Sequence, residues 1–175
     1  MLTAESQPLS NRTRLYVVMG VAGCGKSSIG AGAAHLLGGT YIDGDDFHPQ
    51  SNIDKMSAGI ALNDKDRWPW LKIVGQELAK QDGLVLAGCS ALKRSYRNFI
   101  AECAGEPVTF LYLDGSKELI ANRMAAREGH FMPTSLLDSQ FATLQVPNET
   151  ENAVAIDISG TQDDVISEIE KYIKG

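Results

Sequence analysis

Apolar residues in this 175-residue chain alternate between short continuous runs and helically spaced stretches. Leu15-Tyr16-Val17-Val18-Met19 is a continuous β-favouring run, the pattern of a strand buried on both faces of a parallel sheet. Ile29, Ala33, Leu36 and Leu37 then recur at helical spacing over residues 28–37, until Gly38-Gly39 stops the helix. Further strands are predicted at residues 40–42, 84–87, 108–113 and 153–158. A short helix is expected between Pro49 and Gly59, because proline favours a first turn and glycine a position past the last one. Residues 62–70 predict a polar and aromatic turn opening a helix that ends near Gln81-Asp82-Gly83. A basic helix is predicted over 93–102, and Ser116 caps another that runs through Arg127 to a stop at Gly129. Pro133-Thr134 opens a helix to about Leu144, and an amphipathic helix over 161–173 closes the chain. This alternation predicts an α/β fold: a doubly wound, five-stranded parallel sheet flanked by helices, with ligands at the carboxyl ends of the strands.

Composition narrows the setting. The length predicts a single domain over residues 1–175, with its core from about residue 14 and a disordered N-terminus at about 1–12. A net charge of −6 and a pI near 5.0 argue against a general nucleic-acid-binding surface, while leaving room for local basic sites. The polar first 13 residues lack an apolar signal core, and no run of 18 apolar residues occurs, so neither membrane insertion nor export is expected. Cys24, Cys89 and Cys103 have no metal-ligand spacing and leave an odd thiol over, which fits a reducing cytoplasm.

Chemistry enters at Gly20-Val21-Ala22-Gly23-Cys24-Gly25-Lys26-Ser27, which fits G-x-x-x-x-G-K-[ST] between a strand and a helix. In that context, backbone N–H groups and the positive end of the helix cradle phosphate. Lys26 is expected to reach the β- and γ-phosphates of ATP, and the Ser27 hydroxyl to ligate Mg²⁺. Asp43-Gly44-Asp45-Asp46 follows the second strand. One carboxylate there can hold Mg²⁺, and another can orient an attacking hydroxyl or accept its proton. The same residues also favour a simple turn. Continued strand geometry would point Asp43 and Asp45 the same way.

Arg123 and Arg127 lie four apart ahead of Glu128-Gly129-His130-Phe131, the arrangement of a lid over transferring phosphates or of a solvated basic face. His130 suits either substrate donation or helix capping. Arg67 can clamp a substrate carboxylate in a bidentate way, whereas Trp68 and Trp70 suit core or pocket wall. Lys55, Lys93, Arg94 and Arg97 are each compatible with a surface charge, and together they favour an anionic substrate.

These motifs occur in a recognisable order: residues 19–27, Asp43-Gly44-Asp45-Asp46-Phe47-His48-Pro49, Leu62-Asn63-Asp64-Lys65-Asp66-Arg67, Cys89-Ser90-Ala91-Leu92-Lys93 with Tyr96-Arg97, and Arg127-Glu128-Gly129-His130-Phe131. The chain resembles the bacterial gluconate kinases (gluconokinases) of the small phosphate-loop type, over about residues 15–158. The resemblance implies ATP-dependent phosphorylation of D-gluconate at its 6-hydroxyl, a homodimer, and a fold like that of the nucleoside monophosphate and shikimate kinases with a mobile helical lid at about 123–140. It implies that Gly20, Val21, Ala22, Gly23, Cys24, Gly25, Lys26, Ser27, Arg123 and Arg127 bind ATP, and that Ser27 and Asp43 hold Mg²⁺. Lys26, Asp45 and Arg127 are then the catalytic set. Asp45, His48, Lys55, Arg67, Gly88, Ser90, Lys93, Arg97 and His130 are expected around gluconate. Cys24 stands where many relatives have Ser, which leaves the backbone cradle intact and suggests an oxidation-sensitive thiol. Kinases for shikimate or a nucleoside monophosphate are the competing enzymatic reading. A guanine-nucleotide switch is disfavoured, because the chain lacks Asn-Lys-x-Asp and its D-x-x-G at 157–160 comes too late.

Overall fold

A computed structural model describes residues 13–126 and 134–175. Five strands, β1 (Leu15–Met19), β2 (Thr40–Asp43), β3 (Val85–Gly88), β4 (Val108–Asp114) and β5 (Ala153–Asp157), pair in parallel in the order β2-β3-β1-β4-β5. Among the described residues seven α-helices connect and cover them: α1 (Lys26–Leu37), α2 (Gln50–Ser57), α3 (Asp64–Lys80), α4 (Arg94–Ala104), α5 (Lys117–Ala125), α6 (Thr134–Thr143) and α7 (Gln162–Lys174). Strand alternation divides the apolar residues between two cores. Leu15, Val17, Met19, Val85, Ala87, Phe110 and Tyr112 face one side, where α3 and α4 add Leu71, Val74, Leu78 and Ile100. Tyr16, Val18, Leu86, Leu111 and Leu113 face the other, where α1, α5 and α7 add Ile29, Ala33, Ile120, Val165 and Ile169. Burial on both faces is why the strands read as uninterrupted apolar runs. Each such large side chain removed from water contributes about 1.5–3 kcal/mol.

Three local readings change. The helix after the glycine loop starts at Lys26 rather than near residue 28, because Gly25 (φ 99°) takes the left-handed N-cap position. Residues 64–70 are helical rather than an opening turn. The Asn63 side chain accepts from the Asp66 N–H at 2.9 Å and the Asp66 carboxylate from the Asn63 N–H at 2.9 Å, a capping box that starts α3 at Asp64. Strand geometry also stops at Asp43, whose side chain accepts the Asp45 N–H at 3.0 Å and opens a 3-10 turn over Gly44–Phe47. Asp43 and Asp45 are therefore not related by strand alternation. The expected N-terminal disorder, and the helix end and start expected at Arg127–Gly129 and Pro133, lie outside the described residues.

Helices α3 and α4 pack closely enough to require a glycine. A Cβ on Gly75 would lie 2.6 Å from the Ile100 carbonyl oxygen and 2.9 Å from Cys103 Cβ. Gly75→Ala is expected to destabilise by about 1–3 kcal/mol through overpacking, against a helix-propensity gain of about 1 kcal/mol. Urea titration checks this, and an unchanged midpoint would mean that the helices separate freely.

Candidate active site

The site gathers at the carboxyl ends of β1, β2 and β3. Gly20 (φ 150°), Gly23 (φ 82°) and Gly25 (φ 99°) give the loop after β1 its shape. Met124 of α5 fills the space where a Gly23 side chain would be. Lys26, at the first position of α1, bends back over the loop and donates from Nζ to the carbonyls of Gly20 (3.1 Å) and Val21 (3.0 Å). Cys24 is only 3% exposed, and burial pushes its thiol up against the opposing pull of Lys26. That contradicts the expected oxidation sensitivity, which needs an accessible thiolate.

Ser27 Oγ donates to Asp43 Oδ2 at 3.4 Å, so the two expected metal residues meet. They meet although β2 is not the neighbour of β1. Strand β3 lies between, and its Gly88 is in register with both Val18 and Asp43. Gly88 has no side chain because the Tyr41 hydroxyl occupies that volume. This hydroxyl is buried, and among the described residues it has no hydrogen-bond partner. Burial pushes it up to about 12, with the Ser27 side chain pulling the other way. Among the described residues no three His, Cys, Asp or Glu side chains form a metal cluster. A hydroxyl beside a carboxylate instead fits a hard cation that takes its remaining oxygens from phosphate and water, as Mg²⁺ does.

Asp45 stands next to this pair. Desolvation by the surrounding protein raises its carboxyl from the ordinary value and Asp43 adds to the rise, while Lys26 and His48 oppose it. Its side chain is still 77% exposed, so it remains open to an incoming group. His48 Nε2 is 3.9 Å from Asp45 Oδ1, and the imidazole stacks on Trp70 with centroids 4.0 Å apart. Asn52 Nδ2 lies 3.1 Å from His48 Nδ1 and donates to the Asp66 carbonyl at 2.9 Å. With Nδ1 accepting, the proton sits on Nε2, towards Asp45. Desolvation lowers the His48 pKa, Asp45 opposes that shift, and Arg67 reinforces it. Trp70 Nε1 fixes the 3-10 turn from below by donating to the Gly44 carbonyl at 2.7 Å.

Arg67 and Lys93 converge on Tyr96. Each cation lies 5.5 Å from the ring centroid, and Arg67 Nη1 donates to the Tyr96 hydroxyl at 3.0 Å. The hydroxyl in turn donates to Asp64, which lies 3.6 Å from Arg67 Nη1 and 3.5 Å from Lys93 Nζ. That hydrogen bond holds the Asp64 carboxyl below the ordinary value, helped by Lys93. Lys55 is paired with Asp66 at 2.8 Å. Ser90 accepts the Gly20 N–H on its carbonyl at 3.2 Å, which joins the β3 end to the phosphate loop.

Two arginines fall elsewhere. Arg97, expected at the substrate, is 1% exposed. Its guanidinium donates to Glu151 through Nε (2.7 Å) and Nη2 (3.2 Å), to the Ala91 and Leu92 carbonyls through Nη1, and to the Gln145 carbonyl through Nη2. A guanidinium has five N–H donors, so none is left for a ligand. Arg123 Nη2 donates to the Gly160 carbonyl at 3.0 Å, in the turn between β5 and α7, rather than to the transferring-phosphate side. The Ser159 carbonyl of the same turn also accepts from Arg123 Nη2, at 3.4 Å. Arg127 and His130 lie outside the described residues. Sequence reasoning missed Asn52 and Tyr96 as parts of the site. The local hints were their spacing, Asn52 four residues after His48 and Tyr96 three after Lys93, and for Tyr96 its place in the motif with Lys93 and Arg97.

The shikimate kinase family profile matches residues 22–174. The chain is 40% identical to a gluconokinase of Gluconobacter oxydans (strain 621H), over 99% of this chain and 98% of that protein. It is 48% identical to the thermosensitive gluconokinase of Escherichia coli (strain K12), over 82% of this chain and 79% of that protein. The crystal structure of a gluconokinase from Sinorhizobium meliloti 1021 superposes with a TM-score of 0.85 at 44% identity, over 94% of each chain.

Proposed function

The chain belongs to the gluconokinases, within the shikimate kinase family of phosphate-loop enzymes, and from that membership we propose how its residues divide the work. The reaction is ATP-dependent phosphorylation of gluconate. In our reading the acceptor is the 6-hydroxyl, and the γ-phosphoryl group is transferred to it in line. Amides of Gly23, Gly25, Lys26 and Ser27 hold the phosphates, and the Lys26 ammonium leaves the Gly20 and Val21 carbonyls to neutralise the transferring group. Asp45 orients the hydroxyl and accepts its proton. Arg67 and Lys93, which among the described residues share the half-exposed Asp64 as their carboxylate partner, receive the gluconate carboxylate. Arg127 is carried from the sequence as a further cation on the phosphoryl group. Ser27 and Asp43 would hold a magnesium ion, which when bound offsets phosphate charge. A homodimer in the cytoplasm completes the reading.

The observation that carries it is geometric: Ser27 of the glycine loop meets Asp43, Asp45 follows two residues on with His48 Nε2 at 3.9 Å, and His48 stacks on Trp70 of the helix that also carries Arg67. This chain of contacts supports reading a donor loop and a carboxylate-binding cluster as one site with a base between them. ADP release measured across sugar acids, shikimate and nucleoside monophosphates tests the assignment. Strong stimulation by gluconate is expected. Stimulation by another acceptor and not by gluconate would overturn it.

A further inference from the structure

One contact ties the helix α6 to the phosphate loop itself. The backbone N–H of Ala22 donates to Oε1 of Gln140 at 2.6 Å, across 118 residues of sequence. The position of that contact along the loop matters. Lys26 Nζ rests on the carbonyls of Gly20 and Val21, and the lysine of such a loop serves the β- and γ-phosphates. The ammonium that serves the γ-phosphate is thus stationed at the Gly20–Val21 end of the loop, next to the residue to which Gln140 is attached. Helix α6 does not need this bond to stay docked. Leu137 is 2% exposed in the core, and Asp138 pairs with Lys117 of α5 at 2.8 Å. A glutamine amide also carries two N–H donors on Nε2. Among the described residues these donors make no hydrogen bond, while Oε1 is engaged by Ala22.

We propose that Gln140 is a positioning residue for the terminal phosphoryl group of the donor: its Oε1 fixes the Ala22 amide, and its Nε2 donors are thereby held at the γ end of the phosphate loop. The inference rests on reading residues 20–27 as the ATP site. It goes beyond that reading by giving α6 a part in telling ATP from ADP, because only ATP places a phosphoryl group there.

Direct binding of ATP and ADP, measured calorimetrically without gluconate, tests the proposal on Gln140→Leu and Gln140→Glu, each with its melting temperature. Gln140→Leu should weaken ATP about ten-fold, the worth of one hydrogen bond to a charged group, and leave ADP nearly unchanged. Gln140→Glu keeps an acceptor for Ala22 but places a carboxylate beside the γ-phosphate. It should weaken ATP further, and the ATP-specific loss should shrink as pH falls and the new carboxyl protonates. An equal loss for both nucleotides, with a lowered melting temperature, would make Gln140 a structural strut and overturn the proposal. Unchanged affinities in both variants would overturn it as well. Failure of the unmodified protein to bind ATP would instead sink the kinase reading on which it rests.

Discussion

Asp45→Asn is expected to lower kcat for gluconate by about 10²–10⁴, the usual worth of a positioned general base, while ATP affinity is preserved or slightly raised. The asparagine is nearly isosteric, so the 3-10 turn, the Trp70 hydrogen bond to the Gly44 carbonyl and the phosphate loop all keep their partners. What disappears is the group that can take the proton. ATP binding should tolerate the change because Asp45 contributes negative charge near Lys26 and no cradle hydrogen bond. The pH profile of the unmodified enzyme follows from the same carboxyl. Desolvation by the surrounding protein raises it, and a base works only when ionised, so kcat/KM for gluconate should fall on acidification at a higher pH than an ordinary aspartate would impose. Steady-state kinetics with separate nucleotide titration decides the matter. Near-normal turnover in Asp45→Asn would remove Asp45 from the proton path. A parallel loss of ATP affinity would mean that it serves the donor rather than the acceptor.

How much of this site could be read from the chain depended on how local each interaction is. The phosphate loop was legible because strand, glycines, lysine and serine lie within about a dozen consecutive positions. Five parallel strands were legible from their apolar runs. Their order was not, since insertion of β3 between β1 and β2 is decided by helix packing on two faces. The Ser27–Asp43 meeting was expected from the family resemblance, yet it depends on Gly88 lying between the two strands without a side chain. Asp43 as a turn cap was hidden behind the assumption that strand alternation persists, because one side-chain hydrogen bond ends the strand. Arg97 misled for a clearer reason. Its position beside Lys93 and Arg94 made a basic helix, while its partners Gln145 and Glu151 lie 48 and 54 positions away.

Those distant partners predict a large loss of stability on Arg97→Ala. Glu151, with 8% of its side chain exposed, would keep its charge without its counterion. Breaking a buried pair by removing one member costs about 3–5 kcal/mol, a large share of a total stability of about 5–15 kcal/mol. The hydrogen bonds lost are not confined to the pair. Arg97 also holds the Ala91 and Leu92 carbonyls, and Ala91 sits at φ 43°, a left-handed conformation in a residue other than glycine. Such backbone persists only when its surroundings over-determine it. Removing the guanidinium should therefore loosen the β3–α4 connection that carries Ser90. Arg97→Lys should recover little, because an ammonium cannot reproduce the bidentate grip on Glu151 or serve three carbonyls at once. Burial works to raise Glu151, but the hydrogen bonds from Arg97 overcome it and leave the carboxyl below its ordinary value. The pair's contribution is thus present above the unfolded glutamate pKa and lost as pH falls through the depressed folded one. The gap between unmodified protein and Arg97→Ala should accordingly narrow in acid. Urea unfolding at neutral and acidic pH measures this directly. A native-like midpoint combined with a raised KM for gluconate would return Arg97 to the substrate.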